Sequence, residues 1–143
     1  MLFVVLIGDA CSKDKVRGCT DPDSITYNSN AEEDDNSCLY EGSIVFWYGQ
    51  NISTFLQLDG AISLTYYVNG VIVGSSATNV YWNTAPNCDQ GGSVTHTASL
   101  GHNKTKTTTY AIKDQTGFTY WSGTVDYEAN SCVKYELSDK KGK

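Results

Sequence analysis

Residues 62–74 read ISLTYYVNGVIVG, and this stretch decides the fold class. Alternate positions of its first half are apolar or aromatic: Ile62, Leu64, Tyr66 and Val68. Such a period of two is typical of a strand that buries one face. Asn69-Gly70 then separates the two apolar runs, and both turn residues accept a positive φ. The stretch therefore predicts an antiparallel β-hairpin.

The same pattern of short, strand-like apolar runs extends in both directions, from residue 42 to residue 137. The candidate strands are SIVFWYG, AISLTYYVNGVIVGS, TNVYWN, GSVTHTASL, KTTTYAIKD, GFTYWSGTVDY and SCVKYEL. Gly, Asn and Asp residues separate them, residues 113–117 favour a second hairpin loop, and no segment shows a helical pattern. Seven or eight strands in about 95 residues predict an all-β, antiparallel two-sheet sandwich, immunoglobulin-like or related in topology. A closed barrel is the alternative.

The chain opens with MLFVVLIGDAC, a short apolar run that leads into a cysteine. The run is far below the ~20 residues that span a bilayer. It is typical of the end of an export signal, which we assign to residues 1–10. A buried first strand, LFVVLI, is the other interpretation.

Cys11, preceded by Ala10, resembles the cleavage site of bacterial lipoproteins, and CSKD is similar to mature lipoprotein starts in Bacteroidetes-like bacteria. The resemblance implies that Cys11 carries the lipid and that residues 11–17 are a tether. Each buried methylene of the lipid adds about 0.8 kcal/mol to membrane binding. We therefore expect an outer-membrane protein anchored on the cell surface or on the periplasmic face.

Without Cys11, four of the five cysteines remain: Cys19, Cys38, Cys88 and Cys132. Four cysteines permit three pairings, and disulfides persist in exported proteins. Cys19–Cys38 and Cys88–Cys132 keep each bridge within one module, so we expect that pairing. We expect the second bridge to pin a loop to the start of the final strand. Zinc is the rival interpretation, but there is no CxxC pair and neither histidine has ligand spacing.

Residues 18–41, here called the cystine module, contain few apolar side chains and cannot build a core. A disulfide that closes a loop of about twenty residues removes on the order of 3 kcal/mol of unfolded-chain entropy. We expect the disulfide to take the place of a core in this module.

The cystine module resembles a pattern found in surface and secreted proteins of Bacteroidetes, approximately GCTDPxAxNYxxxAxxDDGSCxY. The matching residues are Gly18, Cys19, Thr20, Asp21, Pro22, Tyr27, Ala31, Asp34, Asp35, Ser37, Cys38 and Tyr40. Ser24, Thr26 and Asn36 stand where the pattern has Ala, Asn and Gly. The change at Asn36 is mild, because Asn tolerates a left-handed backbone. The resemblance implies a surface protein.

Acidic residues are concentrated in the same module. Six lie between Cys19 and Cys38, with no Lys or Arg, and they equal the formal net charge of −6. Calcium takes six to eight oxygen ligands, and the candidate ligands are Asp21, Asp23, Asp34 and Asp35. The spacing is not that of an EF-hand, but it is loosely similar to thrombospondin type 3 repeats. A solvated acidic spacer is the equal alternative.

Neither nucleic-acid binding nor catalysis is indicated. The ten Lys and Arg residues are scattered, whereas a nucleic-acid binder needs a basic patch. His96, on a predicted strand, and His102, in a predicted turn, lack the motifs of hydrolases and metalloproteases. We therefore predict no enzymatic activity.

Aromatic residues are the remaining functional signal. Adjacent strand residues point to opposite faces, so one ring of each adjacent aromatic pair should lie outside the core. The candidate ligand-binding residues are Trp47, Tyr67, Trp82 and Trp121. Exposed rings stack on sugars or anchor protein partners, although they also stiffen sheets through cross-strand pairs. We predict a non-enzymatic surface lipoprotein for binding or adhesion, with polysaccharide as a candidate ligand; the alternative is a subunit of a surface assembly.

Overall fold

The computed structural model describes residues 13–138. The expected signal segment and the Cys11 lipid site lie outside these residues. Residues 139–143, which make up all of the expected tail except residue 138, also lie outside them.

Within residues 13–138 the chain forms strands and one short helix in an all-β arrangement. The elements are β1 (Arg17–Gly18), β2 (Glu33–Asp34), β3 (Tyr40–Trp47), α1 (Gln50–Leu58), β4 (Ser63–Val68), β5 (Val71–Ala77), β6 (Val94–Gly101), β7 (Thr105–Asp114), β8 (Thr119–Glu128) and β9 (Cys132–Glu136). β1 and β2 form a small parallel pair. The larger sheets have the orders β6-β3-β9 and β5-β4-β7-β8 and face each other across one core, so the predicted sandwich is confirmed.

The strand order differs from that of an immunoglobulin domain. In an immunoglobulin domain the first strand lies beside the second, in a sheet of order ABED. Here the first strand of the sandwich, β3, lies between β6 and β9, whereas the second strand, β4, belongs to the facing sheet. The sequence predicted antiparallel sheets, but β3 and β9 run parallel, so this one pair differs from the expectation.

The central hairpin forms as predicted from its turn. Asn69 and Gly70 have φ values of 50° and 75°, which a two-residue hairpin turn requires. Leu64, Tyr66 and Val68 are buried, because they point from β4 toward the facing sheet. Ile62 is 72% exposed instead, since β4 begins only at Ser63.

The β7–β8 hairpin contains an irregularity that overturns one expectation. Ile112 pairs with Trp121 but Lys113 pairs with Thr119, so Tyr120 has no partner across the ladder. A bulge of this kind places two successive side chains on nearly the same side of the strand. Tyr120 is fully buried and Trp121 is 6% exposed. The expectation that one ring of this pair lies outside the core was wrong.

The helix α1 was not expected. Ile52, Phe55 and Leu56 have the spacing of one helical face, and Ile52 and Leu56 are buried in the core. Gly60, with φ of 87°, follows the helix and allows the chain to turn into β4. The β-rich sequence on both sides hid this short pattern.

The segment TNVYWN, expected as a strand, is part of an irregular loop over residues 78–93. The loop packs on the outer face of the three-stranded sheet, where the Asp89 N–H donates to Thr95 Oγ1 at 2.9 Å and Lys134 Nζ donates to Asn87 Oδ1 at 3.2 Å. Thr95 and Lys134 flank Val45 in the sheet, and Val45 is fully buried. The loop therefore buries Val45 on the outer face of this sheet, apart from the main core.

The disulfide pairing is the expected one. Cys88 and Cys132 are bonded, and this bridge joins the 78–93 loop to the first residue of β9. Cys19 and Cys38 are bonded within the cystine module.

Candidate functional site

The cystine module has a polar interior. The Ser24 hydroxyl donates to the Leu39 carbonyl oxygen at 2.7 Å and accepts from the Leu39 N–H at 3.1 Å. The Thr26 hydroxyl donates to the carbonyl oxygen of Ser37 at 2.8 Å. Ser24 and Thr26 are two of the departures from the Bacteroidetes pattern, and both cross-link the two halves of the loop beside the disulfide.

Lys104 joins the module to the sandwich. Its ammonium lies 2.7 Å from Asp21 Oδ2 and 3.3 Å from Asp23 Oδ2, and 5.7 Å from the centre of the Tyr40 ring. The Tyr40 hydroxyl donates to Asp21 Oδ2 at 2.8 Å. The hydrogen bond from Lys104, with those from the Asp23 N–H and Tyr40, lowers the pKa of Asp21 from 3.8 to about 2. Nδ1 of His102 lies 2.8 Å from the Cys38 carbonyl oxygen at the same junction.

The four carboxylates considered for calcium fall into two pairs. Asp21 and Asp23 share Lys104, whereas Asp34 and Asp35 accept hydrogen bonds from the N–H groups of Asn36 and Ser37 in their own turn. The hydrogen bonds with Ser37 lower the pKa of Asp35. Residues 13–138 contain no group of three or more His, Cys, Asp or Glu side chains placed to hold a metal ion. Lys104 supplies to the first pair the positive charge that the calcium interpretation assigns to a metal.

The aromatic candidates do not form one outward row. Trp47 and Trp82 line a narrow space of about 10 Å³ near the end of β3, which is at most the size of one water molecule. Tyr67 lies on the outer face of the four-stranded sheet, where the Lys113 ammonium is 5.3 Å from its ring centre. Trp121 is buried and stacks on Tyr48, with ring centres 6.4 Å apart.

Trp121 instead lines a cleft of about 280 Å³ where β8 faces β9, at the open edge of the sandwich. This edge cleft is formed by Tyr110, Tyr120, Trp121, Ser122, Tyr135, Glu136, Leu137 and Ser138. The rings and Leu137 are buried or half-buried, whereas Ser122, Glu136 and Ser138 are exposed. The cleft therefore combines an apolar, aromatic interior with a polar rim.

Hydrogen bonds hold three of the rings in the edge cleft. The hydroxyls of Tyr110 and Tyr135 are 3.1 Å apart, and the Tyr120 hydroxyl donates to Asp59 Oδ2 at 2.6 Å. Burial, followed by the bond to Asp59, raises the pKa of Tyr120. The indole N–H of Trp121 is buried and has no acceptor within residues 13–138. The atom is also closed to solvent, so this donor does not open into the cleft.

His96 lies on β6, as predicted, and half-buried beside Tyr127. Its Nδ1 lies 2.7 Å from the Tyr127 hydroxyl, and Tyr127 is fully buried. Burial, and secondarily the charge of Lys106, lowers the pKa of His96. This contact joins the two sheets, because β6 and β8 belong to different ones.

Sequence reasoning found Trp121 but not the other cleft residues. Tyr110, Tyr120 and Tyr135 lie in three of the predicted strands, and nothing in the sequence shows that β7, β8 and β9 bring them together. Adjacent aromatics at Tyr120-Trp121 were the available signal, and the bulge that turns both inward depends on strand pairing.

Comparison of the chain with models of protein families, with curated proteins and with solved structures gives no match. Over residues 13–138, the structure contains no helix with the length and apolar character needed to span a bilayer.

Proposed function

We propose that this chain is an exported lipoprotein whose sandwich binds polysaccharide at the cell surface without catalysing a reaction. The observation that carries the proposal is the placement of the edge cleft relative to the cystine module. Concave sites with an aromatic interior and a few polar groups are the usual form of small-ligand sites. Aromatic rings with polar tips also suit the mixed surface of a sugar.

The module and the edge cleft lie at opposite ends of β9. Pro22 and Ile25 of the module line a groove together with Ser131 and Cys132, where β9 begins. Glu136, where β9 ends, lines the edge cleft. Four residue steps of about 3.3 Å separate the two ends by roughly 13 Å. Because Cys11 precedes the module in the sequence, a lipid on this residue would attach the chain through the module and leave the cleft at the far end of β9.

The contacts of Lys104 support the interpretation of the module as a spacer held against the sandwich. Two carboxylates, one ammonium and the Tyr40 hydroxyl fix the module against the β6–β7 turn. The lipid and the stapled module then set the orientation of the sandwich.

A polysaccharide-binding screen tests this function. The full chain carrying Cys11→Ser is presented to a panel of neutral and acidic polysaccharides, once with calcium and once with a chelator. We expect retention on at least one neutral polysaccharide in both conditions. Retention lost in chelator would support the calcium interpretation of the acidic residues, and no retention on any polysaccharide would overturn the proposed function.

Fractionation of cells tests the anchor. The natural chain should sediment with the outer membrane, and Cys11→Ser should be released, because the lipid is attached to the thiol. Attachment that persists in Cys11→Ser would overturn the lipid assignment and favour the buried-strand interpretation of residues 2–7 or a protein partner.

The alternative function, a subunit of a surface assembly, has its own support in the module. Three of its apolar side chains are exposed, Ile25, Tyr27 and Leu39, and so is Val16 just before the module. The Ile25 N–H donates to the Leu39 carbonyl oxygen at 2.9 Å, which brings two of them together. A subunit would copurify with a partner, and Ile25→Ser would abolish that copurification while leaving polysaccharide retention unchanged.

A further inference from the structure

We infer that β5 is a dimerisation edge, which pairs in antiparallel orientation with β5 of a second copy of this chain. The pairing joins the two four-stranded sheets into one continuous sheet across a two-fold axis. This inference goes beyond the proposed function, because β5 contributes no residue to the edge cleft.

β5 presents an open row of backbone groups. It is the outermost strand in the order β5-β4-β7-β8, and β4 is its only ladder partner within residues 13–138. From Val71 to Ser76, no backbone–backbone hydrogen bond joins β5 to any other segment in the described part of the chain. Free N–H and C=O groups along such an edge pair readily with another strand.

Exposed apolar side chains collect around this edge. Among the described residues of the sandwich, every large apolar side chain that is exposed lies within residues 58–81. Val71 and Ile72, at the start of β5, are 63% and 62% exposed. Ile62 lies beside the other end, because the Thr78 N–H donates to its carbonyl oxygen at 3.0 Å. A partner strand on β5 would remove part of this apolar surface from water, which favours association.

Charge distinguishes β5 from the outer strands of the sandwich that lie elsewhere. The strands at the other ends of the two sheets, β8 and β9, carry Asp126, Glu128, Lys134 and Glu136. On β6, the Ser99 carbonyl oxygen accepts a hydrogen bond from Lys106 Nζ at 3.2 Å. Natural edge strands use charged side chains or proline to discourage pairing. The sequence of β5, VIVGSSA, contains neither.

The distribution of charge also favours a second copy as the partner. The formal net charge of −6 makes two copies repel each other as they approach. Residues 60–88 contain no Asp, Glu, Lys, Arg or His, so two copies that meet along β5 place no like charges opposite each other. A two-fold arrangement uses the same edge in both copies, and the assembly therefore closes at two.

Analytical ultracentrifugation of the full chain carrying Cys11→Ser tests the dimer. This substitution removes the one cysteine that the two disulfides leave, so that no intermolecular disulfide contributes. Across a concentration series we expect a reversible species of twice the chain mass of 15.6 kDa. Hydrogen exchange on the same series should slow at the N–H groups of β5 that do not bond to β4, and it should stay constant in β6.

The variants place a charge on the edge without touching the core. Ile72→Lys and Ser75→Lys change exposed residues of β5, and each should raise the dissociation constant of the dimer at least tenfold, because both copies carry the new charge. Ile25→Lys is the matched control, since Ile25 in the cystine module is 58% exposed and Ile72 is 62% exposed. The control should dimerise like the parent chain.

The outcomes are distinct. A dimer that weakens in Ile72→Lys and Ser75→Lys but persists in Ile25→Lys supports the inference. A monomer at every concentration, a dimer that weakens in Ile25→Lys instead, or a larger assembly overturns it. Copurification of a different protein with a monomeric chain, lost in Ile72→Lys, would also overturn it, because a foreign strand would then occupy β5. Polysaccharide retention by Ile72→Lys reports on the proposed function separately.

Discussion

The cystine module and the sandwich bury very different parts of their sequences. In the module the buried residues are Gly18, Cys19, Ser24, Cys38 and Tyr40, and Tyr40 already belongs to β3. In the sandwich both sheets contribute large side chains to one core, and Tyr66, Tyr120 and Tyr127 are almost completely buried. The module therefore depends on a disulfide and side-chain hydrogen bonds, whereas the sandwich depends on packing.

The two regions also differ in their use of charge. The acidic residues of the module remain at its surface, and Asp21 and Asp23 serve to attach it to Lys104 of the sandwich. The comparison teaches that a short polar segment can be ordered by covalent and ionic contacts to a packed neighbour. Four substitutions or changes of condition separate these contributions, beginning with the largest effect.

The largest effect is expected where the two sheets approach each other at Gly42. A Cβ at this position would lie 2.3 Å from the carbonyl oxygen of Glu128, a backbone atom that cannot turn away. Gly42→Ala should lower the free energy of unfolding by about 3 kcal/mol or more, since overpacking a core costs about 1–3 kcal/mol and backbone is the stiffest neighbour. Urea denaturation measures the loss. Gly91→Ala is the control, because no atom lies within 4 Å of its Cβ position, and an equal loss there would contradict the argument.

The second effect separates the modules through their disulfides. Cys19→Ala with Cys38→Ala should cost about 3 kcal/mol by loop entropy, and it should abolish the order of the module, which has no core to replace the bridge. Hydrogen exchange should lose protection at the N–H groups of Asn28 and Leu39 and keep it in β3 and β4.

The matched pair of variants is Cys88→Ala with Cys132→Ala. It should lower stability yet leave the sandwich folded, because the core persists without the bridge. Protection that survives at Asn28 and Leu39 in the first double variant would show that the module does not depend on its disulfide.

The third effect is the acid dependence of the junction. The pKa of Asp21 is lowered in the folded state from 3.8 to about 2, so the folded protein binds fewer protons than the unfolded chain in that range. The stabilisation that ionised Asp21 gives to the folded state is complete above the ordinary pKa of this carboxyl and is lost as the pH falls toward 2. Lys104→Met should reduce this loss between pH 4 and pH 2, measured by the melting temperature, whereas Lys106→Met should retain it. An identical acid profile in Lys104→Met would contradict the assignment.

The smallest effect concerns His96 between the sheets. Its pKa lies below the ordinary 6.5, because burial disfavours the charged ring. Protonation therefore favours the unfolded chain, and the contribution present above pH 6.5 is lost as pH falls through the lowered pKa. His96→Gln should flatten the melting temperature across this range, and a slope equal to that of the natural chain would rule out His96 as its source.

The sequence predicted the parts of the fold that depend on neighbouring residues. Asn69-Gly70 predicted its hairpin because the positive φ values belong to the two residues themselves. The cysteine spacing led to the observed pairing, since each bridge closes a loop within one module. The helix α1 was missed because nine residues carry only one clear set of helical spacings, Ile52, Phe55 and Leu56.

The candidate site was less predictable for the same reason. Trp121 was singled out as an aromatic beside another aromatic, but its orientation depends on the register between β7 and β8. The four candidate calcium ligands share a short loop, yet Lys104, far away in the sequence, contacts only two of them.

Local chemistry thus determined most strands of the sandwich, its central hairpin turn and the disulfide pairing from the sequence alone. Only the tertiary structure decided which rings lie in the edge cleft, how the acidic residues divide, and which end of the sandwich faces the module. The physical reason is range: φ preferences and strand periodicity act over a few residues, whereas a register shift or an ion pair depends on residues that the fold brings together from distant parts of the chain.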